Sequence, residues 1–372
     1  MLGMSGDFTY RDGLPAVPDK GRGAGLNPGN RYESVRLHVL GEYRDTLAAE
    51  GPDSHPSPQT QVIADNTRTI LNKVNSPDLP YGWSLNPYRG CEHGCVYCYA
   101  RPDHERLGYS CGIDFETKII AKYDAPKLLR KELANPRWQP QNVMMAGVTD
   151  CYQPVEAKHR ITRGCLEVFA ECRHPVSIVT KNRLITRDID LLQELSHYNA
   201  VGVAVSLTSL DPHLSAIMEP RASSPAHRLA TIKRLTDAGI RVTVMTAPIL
   251  PAINDRELPK LLEAAADAGA TNAGFVVLRL PHQLKELFTD WLQRHFPDRA
   301  AHVESLIRQM RGGALYDANF GTRQRGEGPF AQQIRQTFDV FSRKYGLTQS
   351  RKAYNPDVFR RPITDGQLRL FD

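Results

Sequence analysis

Three cysteines stand together in Cys91-Glu-His-Gly-Cys95-Val-Tyr-Cys98, a C-x3-C-x2-C run that follows Asn86-Pro-Tyr-Arg-Gly. Thiolates are the ligands that zinc and iron–sulfur clusters select. Gly90 and Gly94 allow the backbone to wrap tightly enough for three sulfurs to converge. Three is one short of the four that a fully cysteine-ligated cluster or a closed zinc site demands. In an iron–sulfur cluster, the missing ligand leaves one iron open to bind something else. The alternative is a zinc site completed by Cys111 or His93, although the paired Cys or Cys/His arms usual in zinc knuckles are not evident here.

The elements that position this run must come from a chain of 372 residues, 41% apolar and 24% charged. That composition excludes collagen-like, fully disordered and membrane classes. No stretch approaches the roughly 18 consecutive apolar residues of a spanning helix. Met1–Thr9 has an acid and no apolar core of a signal peptide, which reads as cytoplasmic. The seven cysteines are an odd count in a long chain, which argues against a disulfide framework. Cys165 and Cys172 share one helical face and read as core. Net charge is +6, and the excess lies from Arg294 onward, a hint of a polyanionic partner.

From about residue 80, apolar runs alternate with helical patterns. Strands are expected over 142–148, 176–180, 201–207, 241–246 and 273–278, with one more before the cysteines. Helices are expected over 159–173, through Leu191, Leu192 and Leu195, and over 226–238, 258–268, 284–295 and 330–344. Near-continuous apolar strands suit a parallel sheet buried on both faces. About six βα units, fewer than the eight of a closed barrel, place the chain in the α/β class. The expected divisions are a Gly/Pro-rich arm (1–79) with one short helix near Tyr32–Leu47, a βα domain (80–295), a helical extension (296–360) and a tail (361–372).

The cysteine run, with aromatic Tyr97 before its last cysteine and a βα series after it, resembles the radical S-adenosylmethionine (SAM) superfamily. Asn86–Arg101, Gly147–Glu156, Thr180-Lys-Asn and Glu219-Pro-Arg resemble its spore photoproduct lyase-like branch, and Lys20-Gly-Arg-Gly-Ala with Asn27-Pro and Arg31-Tyr32 fits as well. The resemblance implies a partial (β/α)6 barrel and a [4Fe–4S] cluster on Cys91, Cys95 and Cys98. It further implies reductive cleavage of SAM to a 5′-deoxyadenosyl radical, an electron donor such as flavodoxin or ferredoxin, and a lyase-type reaction on damaged DNA. RNA or protein as substrate, and a non-catalytic zinc-stabilised nucleic-acid adaptor, are the other readings.

Site residues follow from the resemblance and from strand ends. Thr149 and Asp150 end the second strand, where the superfamily binds the methionine amino group; the plainer role for Asp150 is a helix cap. Tyr97 is expected near the adenine, and Ser206 and Thr208 near the ribose hydroxyls. Arg221 and Lys181 suit the cofactor carboxylate, or else surface ion pairs. Cys151, Tyr99 and Tyr152 are candidates for a hydrogen-atom relay, with core packing as the alternative. The branch places its donor cysteine ahead of the Asp, whereas here Met144, Met145 and Ala146 occupy that stretch and Cys151 follows Asp150. The same relay is therefore not implied. Finally, Gln367, Leu368, Leu370 and Phe371 match the Q-L-x-L-F peptide that binds the bacterial sliding clamp; docking of the tail on its own barrel is the alternative.

Overall fold

The computed structural model describes residues 21–32, 59–350 and 353–363. The helix expected near Tyr32–Leu47 falls, beyond its first residue, outside the described residues, as does the Gln367–Phe371 motif.

Six parallel strands form the centre: β3 (Trp83–Leu85), β6 (Val143–Met145), β7 (Val176–Thr180), β8 (Val201–Ser206), β9 (Val242–Ile249) and β10 (Asn272–Val277). The spatial order is β10-β9-β8-β7-β6-β3-β2, where β2 (Leu71–Lys73) is an antiparallel edge on β3. Strand order follows sequence order and the ends do not meet, so the sheet is a partial barrel. A smaller sheet holds β1 (Gln61–Ala64), β5 (Lys118–Ala121) and β4 (Tyr88–Arg89) in that order.

Local signals explain most boundaries. Val176-Ser-Ile-Val-Thr is β-branched and forms β7 as expected. Ser224 caps the helix Pro225–Asp237, Pro225 opens it, and Gly239 beyond its end adopts φ 75°. Two expectations shift. β6 stops at Met145 because Ala146 turns to φ 69°, and the following helix begins at Ile161 because Arg160, at φ 52°, separates it from a short turn over Glu156–His159.

The strands are buried on one face only. Along β7, β8 and most of β9, buried and half-buried residues alternate. Val176, Ile178, Val203, Val205, Val242 and Val244 join one core with Phe169, Leu192, Leu195, Ile232, Leu235 and Leu262 of the outer helices. Ser177, Val179, Gly202, Ala204, Thr243 and Met245 face the other way and are only half-buried. The expectation of burial on both faces is thus corrected: in an open barrel the inner face remains accessible, and several of its side chains are small.

The flanking segments are tied to this body. Ala24, Leu26 and Asn30 of the N-terminal arm are buried. The helix Gly328–Lys344 packs against the helix Leu258–Asp267, with Phe338 against Phe275 at a centroid distance of 4.6 Å. The chain then returns to the amino ends of the strands. There the Tyr354 hydroxyl donates to the Arg173 carbonyl at 2.8 Å, and Arg361 donates to the carbonyls of Leu133 and Trp138, each at 3.1 Å. Among the described residues, no helix is long and apolar enough to cross a membrane.

The two faces of β7 give a differential prediction. Ile178→Ala removes a fully buried side chain and should cost about 2–5 kcal/mol, whereas Val179→Ala on the inner face should cost about 1 kcal/mol or less. Urea denaturation of both variants measures this, and equal losses would contradict the one-sided burial.

Candidate cofactor site

The cysteine run is part of an excursion at the carboxyl end of β3. The chain leaves β3 at Leu85, makes the short β4, turns at Gly90 (φ 76°) and returns along β5. A Cβ at Gly90 would lie 2.9 Å from the Lys118 carbonyl oxygen, so only glycine fits this turn. The Cys91 amide donates to the Phe115 carbonyl at 2.8 Å, and the Val96 amide to the Met218 carbonyl at 3.1 Å. Carboxyl ends of parallel barrel strands are where catalytic sites are built.

One ion pair holds the loop from below. The Arg101 guanidinium, without solvent access, pairs with Glu116 and donates to the carbonyls of Cys95 (2.9 Å), Cys111 (3.2 Å) and Gly112 (2.9 Å). Glu116 in turn accepts the Gly23 amide at 3.0 Å and the Ala24 amide at 2.8 Å. The arm is thereby strapped across the loop, and a Cβ on Gly23 would sit 1.7 Å from the Gly94 carbonyl oxygen.

Cys91 and Cys95 are buried, Cys98 is partly so, and all three are free thiols. Burial pushes each thiol above its ordinary value; Cys95 and Cys98 add to the rise at Cys91 by mutual repulsion, and so does Asp150. Lys181 opposes the rise at Cys95 and Cys98. Three free thiols on one loop are a donor set for a thiophilic metal centre. Among the described residues, no group of three or more His, Cys, Asp or Glu side chains is arranged to hold a metal ion. Of the two suggested fourth zinc ligands, His93 has both ring nitrogens engaged by other groups. His93 Nδ1 lies 3.3 Å from Asp150 Oδ2, and its Nε2 accepts from Asn182 Nδ2 at 3.1 Å. The Asn182 carbonyl oxygen is fixed by the Leu184 amide, so the Asn182 amide nitrogen faces His93. Cys111 packs with Ala24 and Leu26, and its thiol is pushed up to about 12, chiefly by burial.

Asp150 also accepts the Lys181 amide (2.7 Å), the Tyr152 amide (2.9 Å) and the Thr180 hydroxyl (2.9 Å). Burial works against its charge, but His93 and these donors outweigh it and hold the carboxyl below the ordinary range. On the other side of the loop, Glu219 is buried and accepts from the Tyr97 hydroxyl, the Thr208 hydroxyl (2.9 Å) and Arg228. Burial raises its carboxyl although Arg228 opposes the rise. Arg228 also donates to the Ser206 carbonyl at 3.2 Å.

Cys91, Cys95, Cys98, Asp150 and Lys181 therefore meet in one place, with Tyr97 and Thr208 tied beside them; the Lys181 ammonium lies 5.9 Å from the Tyr97 ring centroid. Thr149 donates to the Tyr88 carbonyl at 2.8 Å. Arg221 pairs with Glu92 at 3.0 Å. Of the three relay candidates only Tyr99 stands at the mouth, 47% exposed, with its hydroxyl bound to the Gly147 carbonyl. Cys151 and Tyr152 are fully buried in the core under the outer helices, with Tyr152 bonded to Asp188 at 3.1 Å. Sequence reasoning passed over Arg101, Glu116, Glu92, Glu219 and Arg228 as site residues, and weighed His93 only as a zinc ligand. The available signal was the density of charged and amide residues in and around the quoted segments.

With this geometry in place, comparison identifies the class. Residues 85–265 match the family model for the radical SAM superfamily. An uncharacterized protein of Mycobacterium tuberculosis is 38% identical over 245 residues, 65% of this chain and 72% of the relative. One of Methanocaldococcus jannaschii is 27% identical over 197 residues, 53% of this chain and 71% of the relative. Spore photoproduct lyase complexed with dinucleoside spore photoproduct is similar in structure, with TM-score 0.57, 16% identity and 84% of both chains covered. A variant of that lyase with bound AdoMet and the same dinucleoside gives TM-score 0.53 at 16% identity, again over 84% of both chains. At such identity these structures establish the fold. The chain belongs to the radical SAM superfamily. Its cofactors are accordingly a [4Fe–4S] cluster and SAM, which three free thiols on one loop and the open inner face of the barrel fit.

The strap gives a prediction. Gly23→Ala must lift the arm from the Gly94 carbonyl, so the reconstituted variant should lose iron several-fold faster in air than the wild type, and trypsin should cut sooner at Arg22. Iron content over time and limited proteolysis read the two effects; unchanged rates would show that the arm does not cover the loop.

Proposed function

We propose that this radical SAM enzyme acts on DNA, in a lyase-type repair reaction. The observation that carries the chemical half is the coupled three-thiol loop at the carboxyl mouth of the open barrel. In this reading Cys91, Cys95 and Cys98 hold the cluster. Bound cluster and SAM supply one-electron cleavage of a carbon–sulfur bond and, through it, abstraction of a hydrogen atom. In holding the cluster these cysteines would bind as thiolates, with their protons released to solvent, and the Lys181 cation would offset part of the resulting charge. Tyr97 and Thr208, their hydroxyls committed to Glu219, present ring and backbone to the adenosyl moiety. Asp150 and Thr149 would shape the methionine end, Arg221 would meet the cofactor carboxylate and Ser206 the ribose. Of the three relay candidates Tyr99 is the exposed one, and in this reading it passes the hydrogen atom.

The DNA half is supported by separate features. The structurally similar lyase is described with a dinucleoside spore photoproduct. The C-terminal quarter carries the basic excess, which suits phosphates. The sliding clamp would receive Gln367–Phe371 as an extended peptide. The last described residues, up to Ile363, run along the amino ends of the strands, opposite the cluster loop. A tether from there leaves the mouth free. Seven cysteines without a disulfide among the described residues suit the reducing cytoplasm, where a flavodoxin or ferredoxin would supply the electron.

The test is anaerobic incubation of reduced holoenzyme and SAM with an ultraviolet-irradiated thymine oligonucleotide. The lesion should disappear with release of 5′-deoxyadenosine, and Cys95→Ala should abolish both. Deoxyadenosine formed while every DNA lesion persists, with RNA or protein altered instead, would reject DNA as the substrate.

A further inference from the structure

Along the open side of the barrel, next to the cysteine loop, arginines and aromatic rings alternate. Tyr99 directly follows Cys98, and its hydroxyl bond to Gly147 fixes the exposed ring. The Arg279 guanidinium, just beyond the carboxyl end of β10, lies 5.2 Å from the centre of that ring. Arg279 Nε is buried without a hydrogen-bond partner. Two carboxylates share its surroundings: Asp103 beside Tyr99, and Asp78, which pairs with Arg323 and accepts the Gly321 amide at 2.6 Å. Arg323 lies 4.2 Å over the ring of Phe320, which is 54% exposed. Arg311, behind them, donates to the carbonyls of Leu278 (2.7 Å) and Thr322 (2.9 Å), and the Thr322 hydroxyl engages Asp317.

The row therefore reads Tyr99, Arg279, the Asp78–Arg323 pair, Phe320. Asp78 neutralises Arg323 and leaves Arg279 as the cation in excess, between two exposed rings. An acidic peptide would satisfy the cation and leave the rings idle. A duplex hides its base faces in the stack. An unpaired strand offers both a phosphate and free base faces, which is how single-stranded nucleic acids are held. We propose that this row binds single-stranded DNA: Arg279 takes a phosphodiester oxygen, Phe320 stacks one base, and Tyr99 stacks the base presented to the mouth. This rests on DNA being the substrate, and it adds that the target nucleotide is received unpaired, extruded from a duplex or already single-stranded.

The experiment is fluorescence anisotropy of full-length reconstituted protein with a short labelled oligothymidylate across a potassium chloride series. Arg279→Gln and Phe320→Ala should each weaken binding about tenfold. Arg279→Gln should also lower the salt slope by about 0.7, the value for one phosphate contact on a single strand, whereas Arg279→Lys and Phe320→Ala keep it. Lys233→Gln, on the outer helix layer, supplies the background. Tight wild-type binding that the Arg279 and Phe320 variants leave intact would overturn the strip but not DNA as substrate. No binding to any DNA would overturn both, and tighter binding of the matching RNA, or of duplex, would overturn the assigned occupant.

Discussion

A guanidinium with no access to water organises the site. Arg101 could not remain charged in the interior without Glu116, and the pair could not remain there without the donors and carbonyls around it. Because those partners come from the cysteine loop at Cys95, from Cys111 and Gly112, and from Gly23 and Ala24 of the arm, satisfying one ion pair fixes three segments distant in sequence. Removing either member would leave a buried charge and release the loop, the arm and the thiols together. A second buried pair, Glu219 with Arg228, does the same on the other side by collecting Tyr97, Thr208 and the Ser206 carbonyl. The thiols thus lie in a frame set by two desolvated ion pairs, rather than in a free Gly-rich loop.

The barrel contributes space. Six parallel strands that do not close leave an inner face where Ser177, Gly202, Ala204 and Thr243 take little room. The same incomplete closure exposes a side on which Tyr99, Arg279 and Phe320 stand. The Arg323–Asp78 pair joins the C-terminal extension to the loop between β2 and β3, so the proposed strand-binding row borders the same open face.

Much of this was legible in order along the chain. The strand over Val176–Thr180 and the helix Leu284–His295 fall where β-branched runs and helical periodicity place them, and the cysteine spacing alone suggested an open-iron cluster. What stayed hidden depends on contacts far apart in sequence. A Gly/Pro-rich stretch such as Lys20–Asn30 reads as an arm because nothing local reveals that Glu116 will cap its amides. Glu219 and Arg228 look like surface charges until the fold buries them. Apolar runs in β7 and β8 suggested burial on both faces, because a small or apolar residue on an accessible inner face leaves the same trace as one in a core. Cys151 and Tyr152 follow Asp150 in sequence, yet the chain turns them into the helix-covered core.

The most direct test of the three-thiol loop is the metal it binds and how that metal responds to SAM. Anaerobically reconstituted, reduced protein should carry about four irons and four sulfides per chain, and its electron paramagnetic resonance spectrum should change when SAM is added, since one iron lacks a protein ligand. Zinc in place of iron, or a cluster whose spectrum ignores SAM, would contradict it.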